Sequence, residues 1–167
     1  MHIQKTDDIG SMKQYSCYKV YGNVSTKPHT IKGGHLFFNL SDSTGTIECA
    51  AYEPTKSFRK IVSKLDKGDT VILYGGIGKE NTFNIEKFQV IKLNNVVYEN
   101  PICTCGKRMT SAGLNKGFKC KHCGNKILSS EKIPKKIQRE LIKGKFYETP
   151  VSARRHLAKP LVRFNNL

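Results

Sequence analysis

The chain has 167 residues, 38% hydrophobic and 25% charged, which suits one ordinary globular domain or two small ones and excludes a disordered polymer. No apolar run approaches the ~18 residues of a membrane span, and MHIQKTDDIGSM at the start lacks the apolar core of a secretory signal, so a reducing cytoplasm is expected. The net charge is +16 and uneven: residues 1–98 hold 13 basic and 9 acidic side chains while 99–167 hold 16 and 4, which favours a polyanion, nucleic acid before a membrane surface.

After a lead-in over residues 1–14, the stretch 15–98 reads as three strands, a helix and two strands. CYKVYGNVS sets Tyr18, Val20 and Val24 on one side and Lys19, Tyr21 and Asn23 on the other. GHLFFNLS turns Leu36, Phe38 and Leu40 inward and His35, Phe37 and Asn39 outward. GTIECAAY repeats the pattern, with Ile47, Cys49 and Ala51 against Glu48, Ala50 and Tyr52. A period of two marks half-buried strands, and Asp42 and Gly45 form the turn between the second and third. In EPTKSFRKIVSKL the period changes: Phe58, Ile61, Val62 and Leu65 share one helix face, with Pro54 in the first turn. DKGDTVILYGG supplies a turn and the fourth strand. TFNIEKFQVIKL supplies the fifth, with a bulge expected near Glu86 because the apolar step from Ile85 to Phe88 is three. Five strands with a helix between the third and fourth is the order of an OB-fold, a barrel that binds oligonucleotides on an open face. An SH3-like barrel is the competing small β fold.

Tyr98 to Pro101 reads as a linker, and 99–128 as a separate Cys- and Gly-rich unit. Residues 102–127 contain too few apolar side chains to fold without a staple. Cys103 and Cys105 form one pair and Cys120 and Cys123 another, each followed by glycine, Gly106 or Gly124. Two such turns brought together by a hairpin make a zinc ribbon, with a closed four-thiolate site that is structural rather than catalytic. The first pair is C-x-C where ribbons usually have C-x-x-C, which leaves Cys103 the least secure ligand and His122 the substitute. Cys49 lies on the inward side of its strand and reads as a core residue. Residues 129–167 read as a basic segment packed on the rest, with a helix over EKIPKKIQRELIKG and another entered at Ser152.

No enzymatic motif appears. YGGIGKE lacks the Walker spacing, with Leu73 and Glu80 where glycine and Ser or Thr belong. The outward aromatics Tyr21, His35, Phe37 and Tyr52 form the candidate stacking surface. Lys19, Lys27 and Lys32 border it. Lys107, Arg108 and Lys119 in the ribbon, with Arg154 and Arg155 in the basic segment, complete the candidate nucleic-acid contacts.

IKGGHLFFNLSDSTGTIECAAYEPTKSFR, NPICTCGKRMTSAGLNKGFKCKHCG and FYETPVSARRHLAKPL resemble the C-terminal half of the archaeal tRNA-isoleucine agmatinylcytidine synthetase family. The resemblance covers about residues 15–163, and CAAYEPTK and SARRHLAKPL are its most specific strings. It implies an OB-fold and a zinc ribbon that follow an N-terminal catalytic half, in an enzyme that uses ATP to attach agmatine to the wobble cytidine so that the tRNA reads AUA. It places the zinc on Cys103, Cys105, Cys120 and Cys123, and tRNA binding on this chain. The catalytic half, with its ATP and agmatine sites, has no counterpart here, so the chain reads as an expressed fragment or a split product with no catalytic residue of its own. The competing functions are a replication-type single-stranded DNA-binding protein and a ribbon that docks on other proteins.

Overall fold

The computed structural model describes residues 4–5, 8–128, 131–154 and 160–163. The strands are β1 (Gln4–Lys5), β2 (Cys17–Val24), β3 (His29–Thr30), β4 (Leu36–Ser41) and β5 (Thr46–Ala51). Helix α1 (Ser57–Val62) precedes β6 (Thr70–Ile77), β7 (Phe83–Lys92) and β8 (Val96–Glu99). Then come β9 (Thr110–Ser111), β10 (Phe118–Lys119), β11 (Lys126–Ile127), β12 (Ile133–Lys136) and β13 (Phe146–Glu148). They form two compact units. One is the chain up to Asn94 with the described residues from Arg139 onward, and the other is Asn95–Gln138.

The first unit is a closed five-stranded barrel. β2 pairs with β4 and β6, β4 with β5, β5 in parallel with β7, and β7 with β6, which returns the sheet to its start. This is the OB-fold connectivity. Alternation gives the barrel its inside: Val20, Leu36, Phe38, Leu40, Cys49, Leu73 and Phe83 are buried. Phe58 and Val62 of α1, with Leu65 just after it, close the core, and the Phe58 ring lies 5.8 Å from Phe88. The bulge falls where the three-residue step put it: Tyr74 faces Lys87 and Gly75 faces Ile85, which leaves Glu86 unmatched. Gly75 is obligatory at that closure, because a Cβ there would stand 2.0 Å from the Asn84 carbonyl oxygen.

Several expectations change. The helix is shorter than its apolar period, because Glu53–Thr55 is a 3-10 turn and Lys56 breaks the path at φ 41°. His29–Thr30 adds a strand to β4 that no periodicity marks. Ala50, on the outward side, is fully covered. Among its described residues the basic segment holds no α-helix: Ile133–Lys136 is a strand paired with Val96–Glu99, so part of the expected linker is also strand. Pro134 explains the first change, since it has no N–H for a helix interior but suits an edge strand. Val151–Ala153 is a 3-10 turn entered from Pro150 rather than from Ser152, and residues 155–159 lie outside the described residues.

β13 extends the barrel sheet along β7, and its Tyr147 ring stacks on Phe88 at 5.0 Å. A buried ion pair anchors this return. Arg139 gives a two-pronged bond to Asp69, Nη1 to Oδ1 at 3.2 Å and Nη2 to Oδ2 at 2.8 Å. Its guanidinium also reaches the carbonyls of Asn94 (2.8 Å) and Lys64 (2.7 Å). Asp69 accepts the amides of Asp66 and Asn94 as well, each at 2.8 Å. Both charges are withdrawn from water and both are hydrogen-bonded, so removing one strands the other. Arg139→Ala is expected to destabilise the barrel by about 3–5 kcal/mol in chemical denaturation; a loss under about 1 kcal/mol would show the pair to be dispensable.

A second carboxylate ties the 3-10 turn Ile9–Ser11 to the β4–β5 turn. Asp42 accepts the Ile9 amide (2.7 Å), the Thr44 amide and hydroxyl (2.7 Å each) and the Gly45 amide (3.0 Å). Desolvation opposes its ionisation, but the Thr44 hydroxyl and the three amides prevail and hold it below its ordinary value. Its contribution is therefore present above about pH 4, the unfolded carboxyl value, and is lost as pH falls through the lower folded one. Asp42→Asn is expected to lower stability at neutral pH, with the gap to the natural chain closing as the pH drops below about 4. A gap constant with pH would contradict this.

Candidate metal centre and nucleic-acid interface

The second unit has almost no apolar interior: Cys103, Met109, Phe118 and Cys120, with Ile127 against them. β9, β10 and β11 form a three-stranded sheet, and β8 pairs with β12. Glu99 joins β8 to Arg108 (2.8 Å) and to Lys135 of β12 (3.0 Å), and these cations, Lys135 first, hold its carboxyl below the usual range.

The two cysteine turns are alike. The Cys103 amide donates to the Lys107 carbonyl and the Gly106 amide to the Cys103 carbonyl, both at 2.8 Å. In the other turn the Cys120 amide donates to Asn125 (2.8 Å) and the Gly124 amide to Cys120 (3.0 Å). Gly106 and Gly124 supply the left-handed backbone each turn needs, at φ 80° and 79°. The result points the amides of Cys105, His122 and Asn125 at cysteine sulfurs.

The four sulfurs lie within 4.8 Å of one another, with Cys103 3.4 Å from Cys123 and Cys105 3.6 Å from Cys120. A tetrahedron with ~2.3 Å zinc–sulfur bonds has edges of about 3.8 Å, whereas a disulfide needs ~2 Å. The C-x-C turn thus places the Cys103 sulfur within the cluster, and His122 is not part of it. The Cys105 amide, with its neighbouring thiols, draws Cys103 down to about 6. The Lys107 amide favours ionised Cys105, but desolvation and the adjoining thiols outweigh it and push Cys105 up to about 12. Four crowded thiols cannot all ionise unaided; a bound dication removes that conflict.

On the barrel, β3, β4 and β5 bring together three of the four expected aromatics. His35 and Tyr52 meet edge to face at 5.3 Å, and Phe37 and Tyr52 at 6.4 Å, all half-exposed. The Glu53 amide donates to His35 Nδ1 (3.1 Å), which leaves Nε2 as the ring's donor. The β3 hairpin sets His29 directly opposite Phe37, a neighbour that alternation within one strand could not reveal. Lys32 is exposed in the turn between these strands.

Tyr21 does not join this group. β2 meets β4 only through Asn23 and Val24, so Tyr21 lies beyond the end of β4 opposite Phe37. Lys19 sits instead over the Tyr74 ring, 5.8 Å from its centre, and Lys27 pairs with Asp66 at 3.8 Å. Lys107 and Lys119 are exposed on the ribbon unit. Arg108 is engaged by Glu99, and Arg154 by Glu148 at 3.0 Å. Arg155 lies outside the described residues.

Residues 18–91 match the family of OB-fold nucleic acid binding domains, and residues 100–141 match the TiaS C-terminal zinc ribbon domain. The chain resembles the C-terminal part of TiaS, the part that carries its OB-fold and zinc ribbon. TiaS of Archaeoglobus fulgidus is 46% identical over 99% of this chain and 39% of its own length. That of Methanocaldococcus jannaschii is 44% identical over 85% of this chain and 34% of its own. The crystal structure of TiaS in complex with its isoleucine tRNA and ATP superposes with a TM-score of 0.78 at 44% identity, covering 99% of this chain and 38% of that one. Apo TiaS gives 0.72 at 46% identity, covering 99% and 39%. The chain therefore spans well under half the length of these TiaS proteins. Among the described residues, no helix is long and apolar enough to cross a membrane.

Proposed function

We propose that the chain is a cytoplasmic tRNA-binding module of an ATP-dependent ligase that attaches agmatine to the wobble cytidine of an isoleucine tRNA for AUA decoding. The observation that supports this best is the TM-score of 0.78 to TiaS held with its isoleucine tRNA, over nearly the whole chain. In this reading unpaired bases stack on Phe37, Tyr52 and His35, and Lys32, Lys107 and Lys119 neutralise phosphates. Arg108 and Arg154 first support their own units through Glu99 and Glu148.

Cys103, Cys105, Cys120 and Cys123 would hold one zinc ion. Four protein thiolates leave no open coordination position, so the ion supplies folding energy to the ribbon and no reaction step. ATP and agmatine, present with TiaS in the tRNA complexes, are assigned to an N-terminal catalytic domain beyond the span of this chain. The chain by itself is expected to bind tRNA without modifying it.

Zinc analysis of purified protein should find one ion per chain, and chelation should unfold the ribbon while the barrel keeps its cooperative transition. Protein that is fully folded without stoichiometric zinc would contradict the assignment. In fluorescence anisotropy, tRNA should bind more tightly than a single-stranded DNA of similar length; equal affinity would favour the replication-type reading. Phe37→Ala should cost about 1–3 kcal/mol with little change in salt dependence, as loss of a stacked base does. Lys119→Ala should instead flatten the log–log salt slope by somewhat under ~1. The opposite pattern would exchange the roles of the two residues.

A further inference from the structure

β7 carries an amide with an unmet hydrogen bond. Asn84 lies beside Ala50 of β5 in register, and Ala50 lies beside Phe37 of β4, so one row runs across the outer face from the stacking ring to the amide. The Asn84 Oδ1 is buried and has no partner among the described residues. Buried polar atoms are nearly always bonded, so an orphan acceptor calls for a cause. The adjacent Thr82 hydroxyl does not supply one, since it is turned to Glu48 at 3.5 Å.

Asn84 borders a cavity of about 240 Å³ whose other walls are Tyr52, Gly78, Lys79, Glu80 and Thr82. Gly78 keeps the approach open, because a Cβ there would stand 3.2 Å from Asn84 Nδ2. Tyr52 belongs both to this cavity and to the ring cluster with His35 and Phe37. A ring wall, a carboxamide lacking a partner and an exposed lysine at the rim are the parts that recognise one nucleotide. A carboxamide offers a donor and an acceptor side by side, and half a turn about its terminal torsion exchanges them. Adenine matches that pair, through its amino group and a neighbouring ring nitrogen.

We propose that this cavity takes one splayed-out adenine of the bound RNA, stacked on Tyr52 and read by Asn84, with Lys79 beside its phosphate. The inference rests on the RNA-binding reading above and deepens it, naming the residue that selects a base.

The test uses the zinc-loaded chain, labelled tRNA, and single-stranded U-rich RNA octamers carrying one central A, C, G or U. The natural chain should bind the adenine octamer about fivefold or more above the uridine one, as expected of a bidentate amide contact. Asn84→Ala should abolish that preference without lowering the thermal midpoint, because it removes an unsatisfied buried oxygen. Asn84→Asp, which has acceptors only, should move the preference toward guanine, whose edge offers two adjacent donors. Retention of the adenine preference by Asn84→Ala, or a loss of stability in step with affinity, would overturn the pocket. If the natural chain binds tRNA without any base preference, the pocket alone falls. If it binds no RNA at all, the functional reading falls with it.

Discussion

The Asp69–Arg139 pair is the contact on which the barrel unit's continuity depends. Asp69 receives the amide of Asn94, where the chain leaves the barrel, and the guanidinium of Arg139, where it returns. Arg139 closes the ring by donating to the Asn94 carbonyl. The forty-odd residues between can then be any self-contained unit, because exit and re-entry are fixed at one buried carboxylate. The returning chain goes on to complete the barrel, with Tyr147 over Phe88 and Glu148 opposite Lys87 on β7. A surface ion pair could not do this, since water and salt would compete for both charges.

The ribbon unit solves the opposite problem. It cannot bury enough apolar area, and two of its four core residues are themselves cysteines. Its backbone amides aimed at sulfur, left-handed glycines and four-sulfur cage together fit a central cation. The barrel is indifferent to that cation, because its own core is built from hydrocarbon side chains. One chain thus joins a unit built around a four-thiol cluster to one built on an apolar core.

Whatever depends on local period is legible in the sequence. Alternation in β2, β4 and β5 sets the inner and outer sides, and a single three-residue step locates the bulge at Glu86. The cysteine turns are legible because each carries its own glycine. What depends on distant partners is not. Ile133–Lys136 reads as helical from the spacing of Ile133, Ile137 and Leu141, yet it pairs with a strand more than thirty residues earlier, around Pro134. His29 reaches the aromatic face only through the β3 hairpin, and Tyr21 leaves it because β2 and β4 meet over two residues. Charge counts likewise cannot foresee that Arg108, Arg139 and Arg154 each answer a carboxylate within the fold. The Asn84 amide is invisible to sequence because an unmet hydrogen bond exists only in three dimensions.

The functional reading gives RNA to the β3–β4–β5 face and to the ribbon, and leaves the Asp69–Arg139 region purely structural. Amide chemical-shift mapping of the zinc-loaded chain, titrated with unmodified isoleucine tRNA, tests it directly. The expected result is perturbation concentrated at Phe37, Tyr52 and Asn84 and at ribbon residues around Lys107 and Lys119, with the amides of Asp69 and Arg139 unmoved. Perturbation confined to the Asp69–Arg139 region, or none on the aromatic face at saturating tRNA, would contradict it.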